Sequence, residues 1–485
     1  MSRISSVFRK FPGSFWSANT MELFERWAWY GMFMVFALYL TGSRDTGALG
    51  FTQSQKGILI GTVVMILYFL PVITGAIADK FGYKKTLILS FIILFTGYYM
   101  MGQFSSYTGM FMIFLYLALG AALFKPVISA TIAKTTDDET SSIGFGIFYM
   151  MVNIGAFIGP IFASKLRVFD WNYVFIMSSL VIAVNFIIVL LFFKEPDRVK
   201  NTEPLGKSIG VILKNIIMTL GDLKFLVFLL IIVGFWAMYN QLFYTLPVFI
   251  EQWVDTTSIY NALHFLSPKL AGAIGTSEGT IAPEMITNID ALYIVLFQIL
   301  VSSFVMKYKP LNAMISGIFV ASVGIGLWFI TQNGFYLFLS LLIFGLGEMA
   351  SSPKITEYIG KIAPKDKVAL YMGCSFLPMA GGNFLAGILS GNVYSAIADK
   401  ITLLQKEVAL RGLNIPEISE HFTQNDYIHR ASQLMGMDEQ TLTNYLWDTY
   451  HPSNIWIVFS GIGLGTVIIL FLYDRLWLKS AKTPS

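Results

Sequence analysis

Long apolar runs, broken by short polar stretches, repeat along this chain from one end to the other. Most runs hold about 20 residues, enough for a helix rising about 1.5 Å per residue to cross the hydrocarbon core of a bilayer. The pattern predicts twelve helical spans near 14–41, 54–79, 85–103, 107–133, 141–165, 171–193, 223–250, 283–306, 310–331, 333–361, 366–394 and 453–478. Three polar segments interrupt the series. Residues 194–222 link spans six and seven, and within them 208–220 (SIGVILKNIIMTL) has the spacing of an amphipathic helix lying on a membrane surface. Residues 251–282 read as a loop, and 395–452 as an extramembrane insert with helical periodicity.

Composition agrees with this reading. Hydrophobic residues make up 55% of the 485 and charged residues only 13%, against roughly 25% charged in soluble domains. The distribution of Lys and Arg orients the spans. With the N-terminus inside, one side collects Arg3, Arg9, Lys10, Lys80, Lys84, Lys85, Lys134 and the lysines of the 194–222 linker, and later Lys307, Lys309, Lys361, Lys365 and Lys367. The opposite side holds few, among them Arg44, Lys56, Lys165, Arg167 and Lys269. Both termini are therefore expected in the cytoplasm. The apolar stretch after Arg9 is interrupted by Glu22, Glu25 and Arg26, so it does not read as a cleavable signal.

This is an all-α polytopic membrane protein. Its expected domains are 1–193 (six helices), 194–222 (cytoplasmic linker) and 223–485 (six helices carrying the insert). Two halves joined by a basic linker suit a transporter that binds its solute between them. A channel is disfavoured because no selectivity-filter sequence is present. An enzyme is disfavoured because the single Cys374 stands alone and His264, His421, His429 and His451 read as loop or helix-end residues. No metal site, cofactor or nucleic-acid partner is indicated.

Ionisable residues inside spans are costly, by at least about 2.5–3.5 kcal/mol at the bilayer centre, and usually functional. Positions 22, 25, 26, 29 and 33 of the first span share one helical face. Glu22, Glu25 and Arg26 thus project two carboxylates and one guanidinium into one interior. One carboxylate can pair with Arg26 while the other takes up a proton. Lys125 stands in the fourth span, Tyr149 and Asn153 share a face of the fifth, and Glu348 lies midway along the tenth. Lys354 and Glu357, three apart, read as a structural ion pair.

Several motifs together resemble the proton-dependent oligopeptide transporter family, a branch of the major facilitator superfamily. Residues 75–85 (GAIADKFGYKK) resemble the superfamily's signature between spans two and three. The branch's ExxER followed by an aromatic and YG is matched by Glu22, Glu25, Arg26, Trp27, Tyr30 and Gly31. Its FKP is matched by Phe124–Pro126. Its FYxxINxG is matched by Phe148, Tyr149, Asn153 and Gly155, and its GE…SP by Gly347, Glu348, Ser352 and Pro353.

The resemblance implies a major facilitator fold and a proton-coupled symporter importing di- and tripeptides. The proton is the coupling ion, the bilayer the surrounding medium, and a monomer the working unit in a bacterial inner membrane. It implies Glu22, Glu25 and Arg26 for proton coupling. Arg26 and Lys125 would meet the peptide carboxylate, and Glu348 and Asn153 its ammonium. Trp29, Tyr30, Tyr68, Tyr149, Asn240, Asp290 and Ser352 complete the expected substrate contacts.

Four positions depart from the family. Phe33 stands where a basic residue is usual, Asn240 where span seven carries an acid, Asp290-Ala291 where span eight has Asn-Pro, and Ser375 where span eleven has a tryptophan. Loss of the first pair implies a gate closed by apolar and hydrogen-bond contacts. Asp290 favours an ammonium-bearing solute. A modified peptide, or another zwitterionic or cationic metabolite, is therefore the alternative cargo.

Overall fold

A computed structural model describes residues 10–137, 140–197, 203–328 and 330–479. Arg3 and Arg9 of the predicted cytoplasmic lead lie outside the described residues. The chain is helical nearly throughout. The first six spans are α1 (Gly13–Thr41), α2 with α3 (Gln53–Phe69, Pro71–Phe81), α4 (Tyr83–Met101), α5 (Tyr107–Lys134), α6 (Ser141–Arg167) and α7 (Trp171–Leu191). The linker carries α8 (Leu205–Leu220), which covers the predicted amphipathic stretch, and its Ile217 and Met218 are exposed.

The later spans are α9 (Leu223–Tyr239), then, beyond α10 (Leu246–Trp253), α11 (Thr257–Leu266) and α12 (Pro268–Ile274), spans α13 (Ile289–Val305), α14 (Pro310–Gly326) and α15 (Phe335–Ile362). The eleventh is α16 with α17 (Val368–Gly373, Leu377–Ile388). After the insert helices α18 (Lys400–Leu410), α19 (Gln424–Met435) and α20 (Glu439–Tyr450), α21 (Asn454–Tyr473) is the last.

Among the described residues, eight helices pass a strict test of length and apolarity, and the α2/α3 pair makes a ninth. The remaining three spans miss it for evident reasons. α1 carries Glu22, Glu25 and Arg26, α4 opens with Lys84 and Lys85, and α14 has 17 residues, about 25 Å of helix.

Several spans are less regular than the apolar pattern predicts. The second bends by 45° between Phe69 and Pro71, because Pro71 has no N–H to give and its ring crowds the preceding turn. The seventh breaks at Asn240 and resumes as a turn at Gln241–Tyr244 and then α10. In the eleventh, a 3₁₀ turn at Cys374–Phe376 and a π turn at Leu389–Val393 replace a straight helix. The expected loop 251–282 is instead the helical pair α11 and α12, with α12 capped by the Ser267 hydroxyl, which accepts from Leu270 N. Its apolar residues were too few for a span yet enough for short amphipathic helices. His429, expected in a loop or at a helix end, lies inside α19 of the insert.

Contacts divide the chain into two compact units. One comprises residues 1–33, 63–223 and 365–380, and the other 34–62, 224–364 and 381–485. In the first, α4 packs on α5 and α7, and α3 on α5. In the second, α14 packs on α15 and α21, and α13 on α15. The insert belongs to the second unit. Its hub is the buried Glu407, which accepts from Arg411 Nε, Tyr445 OH and Tyr450 OH, each at 2.7 Å.

Candidate functional site

In the first unit, glycine and polar side chains of α6 and α7 set the position of α1. Gly159 sits so close to α1 that a Cβ there would lie 2.5 Å from Trp27 O and 2.7 Å from Gly31 N. One at Gly155 would lie 2.8 Å from Arg26 Cβ. Two α7 side chains bond to α1 carbonyls: Ser178 Oγ to Ala28 O (3.0 Å) and Asn185 Nδ2 to Met21 O (3.1 Å). Gly155, the last residue of the FYxxINxG match, therefore works through packing.

The face held in this way carries the predicted charge cluster. Glu22, Glu25 and Arg26 are 6%, 0% and 7% exposed. Arg26 is ion-paired with Glu25, and its Nε lies 3.4 Å from Glu22 Oε1. Glu25 Oε1 is buried and receives no hydrogen bond among the described residues. One guanidinium thus serves two desolvated carboxylates and leaves one of their oxygens unmet. Tyr30 lies 6.0 Å from the guanidinium by its ring. Trp29 is buried in a stack with Phe33 (5.1 Å) and Phe114 (6.2 Å).

Lys125 is half-buried and close enough to act electrostatically on Glu22. Its ammonium lies 4.6 Å from the centre of the Tyr68 ring and, among the described residues, forms no ion pair. Both line a cavity of about 350 Å³ with Ser129, Asn215 and Phe376. Asn215 comes from α8, a contribution the sequence reading missed.

The neighbouring Pro126 has a structural consequence. It has no N–H for the carbonyl of Ala122, and Thr74 Oγ1 of α3 donates to that oxygen at 2.6 Å instead. Tyr149 is 46% exposed, and Asn153 Nδ2 donates to Tyr149 O within the helix at 2.8 Å.

The loop after α3 has a partner that the motif did not reveal. Gly82 precedes α4 and has no side chain to cap it. Glu195, from the segment after α7, accepts from Tyr83 N (2.9 Å) and Lys84 N (3.3 Å) in its place. A carboxylate is favoured there by the helix dipole.

In the second unit, Glu348 and Asp290 are both buried and close enough to act on each other, with Tyr239 beside Glu348. Ser352, one turn beyond Glu348, is half-buried. Asn240 Nδ2 donates to Trp236 O at 2.7 Å. Lys354 and Glu357 pair at 2.6 Å, and Lys361 joins them at the same distance.

Lys56 differs from its expected place in a polar outer segment. It lies in the first turn of α2, is fully buried, and donates to Tyr244 O at 2.9 Å beside the Tyr394 ring. Gly61 and Gly387 abut there so closely that a Cβ at Gly387 would lie 2.6 Å from Gly61 Cα. Tyr244 OH donates to Asn383 at 2.7 Å and Gln53 to Asp399 at 3.0 Å. The signal was legible in part: Lys56 precedes a G-x-x-x-G pair, Gly57 and Gly61, of the kind that brings helices together.

The model of the Major Facilitator Superfamily matches residues 21–282. The dipeptide and tripeptide permease B of Salmonella typhimurium is 25% identical over 456 residues, covering 81% of this chain and 88% of its own. The multidrug resistance protein MdtH of Aeromonas salmonicida is 23% identical over 342 residues, covering 70% and 79%. A POT family transporter solved with a thioalcohol-conjugated peptide superposes with a TM-score of 0.68 at 18% identity, over 96% of this chain and 99% of that one, which shows a shared fold. With twelve helical spans among the described residues and a family match over more than half its length, the chain is an integral membrane protein that belongs to the Major Facilitator Superfamily.

Proposed function

We propose that this protein is a proton-coupled symporter that imports short peptides by alternating access, in a bacterial inner membrane with both termini cytoplasmic. The observation that carries the reading is Lys125, a cation with no ion-pair partner among the described residues, facing a cavity of about 350 Å³. An ammonium so placed suits the carboxylate of an incoming solute. The Glu22–Glu25–Arg26 cluster supports proton coupling, because one guanidinium is shared between two buried carboxylates and Glu25 Oε1 accepts no hydrogen bond among the described residues. The name of the permease relative supports peptides as cargo.

A second reading, a modified peptide or another zwitterionic or cationic metabolite, draws on Asp290, an acid beside Glu348 that enlarges the negative character of the second unit.

The test is uptake of a labelled dipeptide into proteoliposomes with and without an inward proton gradient, run beside Glu25→Gln and Lys125→Ala. Gradient-driven accumulation that both substitutions abolish is the expected result. No accumulation by wild-type protein in tight vesicles rejects dipeptides and leaves the second reading. Accumulation that survives both substitutions rejects the assigned site.

A further inference from the structure

Asp290 and Glu348 come from different spans and were separate in the sequence pattern. α13 and α15 bring them together. Asp290, in the first turn of α13, is 3% exposed, and Glu348, midway along α15, is 9% exposed. The two carboxyls lie close enough for each to act electrostatically on the other. Room for this comes from Gly345, one turn before Glu348, where a Cβ would lie 2.9 Å from Asp290 Oδ1. Asp290 Oδ1 and Glu348 Oε2 are buried and receive no hydrogen bond from any N–H or O–H donor among the described residues.

No cation neutralises the pair from its own helices. The nearest base along α15, Lys354, is committed to Glu357 at 2.6 Å, and α13 carries none. Among the described residues, the titratable groups that act on the pair are two phenols, Tyr239 of α9 and Tyr293 of α13.

An ionised carboxylate only accepts hydrogen bonds. Two in contact attract each other only when one carries a proton, and two full charges at this separation in a dry interior repel strongly. Asn240 is an amide that does not titrate, and it is bonded to its own helix.

We propose that Asp290 and Glu348 form a proton-binding carboxyl pair in the second unit, additional to Glu22 and Glu25. The proton is held as an O–H of one carboxyl donating to an oxygen of the other, and on release it leaves to water. The pair carries a charge of −1 with the proton bound and −2 without it. A role in transport rests on the proton-coupled reading above, whereas proton binding by the pair does not.

Infrared spectroscopy of the full chain in lipid, titrated with pH, reads the pair directly through the C=O stretch of a protonated carboxyl. The expected result is a component at neutral pH that Asp290→Asn and Glu348→Gln each remove and that Glu22→Gln and Glu25→Gln leave in place. Glu357→Gln, at a surface ion pair, leaves it in place. A wild-type spectrum without the band, or a band that survives both substitutions, overturns the proposal. Circular dichroism establishes that each variant is folded, and Glu348→Gln gives the same readout should Asp290→Asn fail to fold.

If wild-type protein carries no peptide yet the infrared band behaves as expected, the transport reading fails while the proton site stands.

Discussion

The crossing of α1 and α6 gives the sharpest test of how the charge cluster is held. In Gly159→Ala the new methyl group meets backbone atoms, Trp27 O at 2.5 Å and Gly31 N at 2.7 Å. Neither can rotate away, so the helices must part by roughly 1 Å to restore contacts near 3.5 Å. Overpacking of this kind costs about 1–3 kcal/mol. Against it stands the gain of alanine over glycine within a helix, about 1 kcal/mol. Gly146 lies in the same helix, is exposed, and has nothing within 4 Å of its would-be Cβ, so Gly146→Ala shows the helix gain alone. The difference between the two variants isolates the clash, at about 1–3 kcal/mol. Thermal unfolding in detergent, followed by circular dichroism, should place the Gly146→Ala midpoint at or above wild type and the Gly159→Ala midpoint below it. Gradient-driven uptake should fall in Gly159→Ala only, since Trp27 and Gly31 flank the turn that follows Arg26. Equal shifts of the two midpoints in the same direction would refute the close-packing account.

Two further outcomes follow from local bonds. Thr74→Val should lower the unfolding midpoint by the cost of a buried carbonyl left without a donor, about 1–3 kcal/mol, because Pro126 has already removed the helical partner of Ala122 O. Thr74→Ser keeps the hydroxyl and should stay near wild type, and an equal loss in both would count against the bond. Asp45, in the segment between α1 and α2, accepts from Asn425 Nδ2 of the insert at 2.8 Å. Partial burial pushes its carboxyl up, but hydrogen bonds from Ser43 and Asn425 outweigh that and hold it below the usual aspartate range. A depressed folded value means that the bonded state gains stability above the unfolded value, about 3.9, and loses it as pH falls through the lower folded value. Hydrogen exchange of residues 424–435 should therefore quicken below about pH 3.9 in wild type. Asp45→Asn should show little such change, and an unaltered acid response in that variant would contradict the assignment.

Much of the molecule was legible along the chain. Helical spans need only apolar length, because a bilayer forces each backbone segment to satisfy its own hydrogen bonds. The Glu22, Glu25 and Arg26 cluster was equally legible, since residues three and four apart on a helix are neighbours whatever surrounds them. Where the apolar pattern misled, the cause was a local bond that composition does not record. Pro71 bends span two, Asn240 ends α9, and Ser267 caps a helix within the supposed loop.

Contacts between residues distant in sequence were decided only by the tertiary structure. Asp290 and Glu348 carry no sign of each other in the sequence, and Gly345 makes their contact possible only once α13 lies against α15. Glu195 caps α4 from the segment after α7, and Thr74 meets the carbonyl that Pro126 frees. Lys56 looks like a surface lysine until α2 packs against the Gly387 face and removes its water. Periodicity in the sequence fixes which side of a helix a residue occupies. Which partner that side meets, and whether water reaches it, depends on how the helices pack.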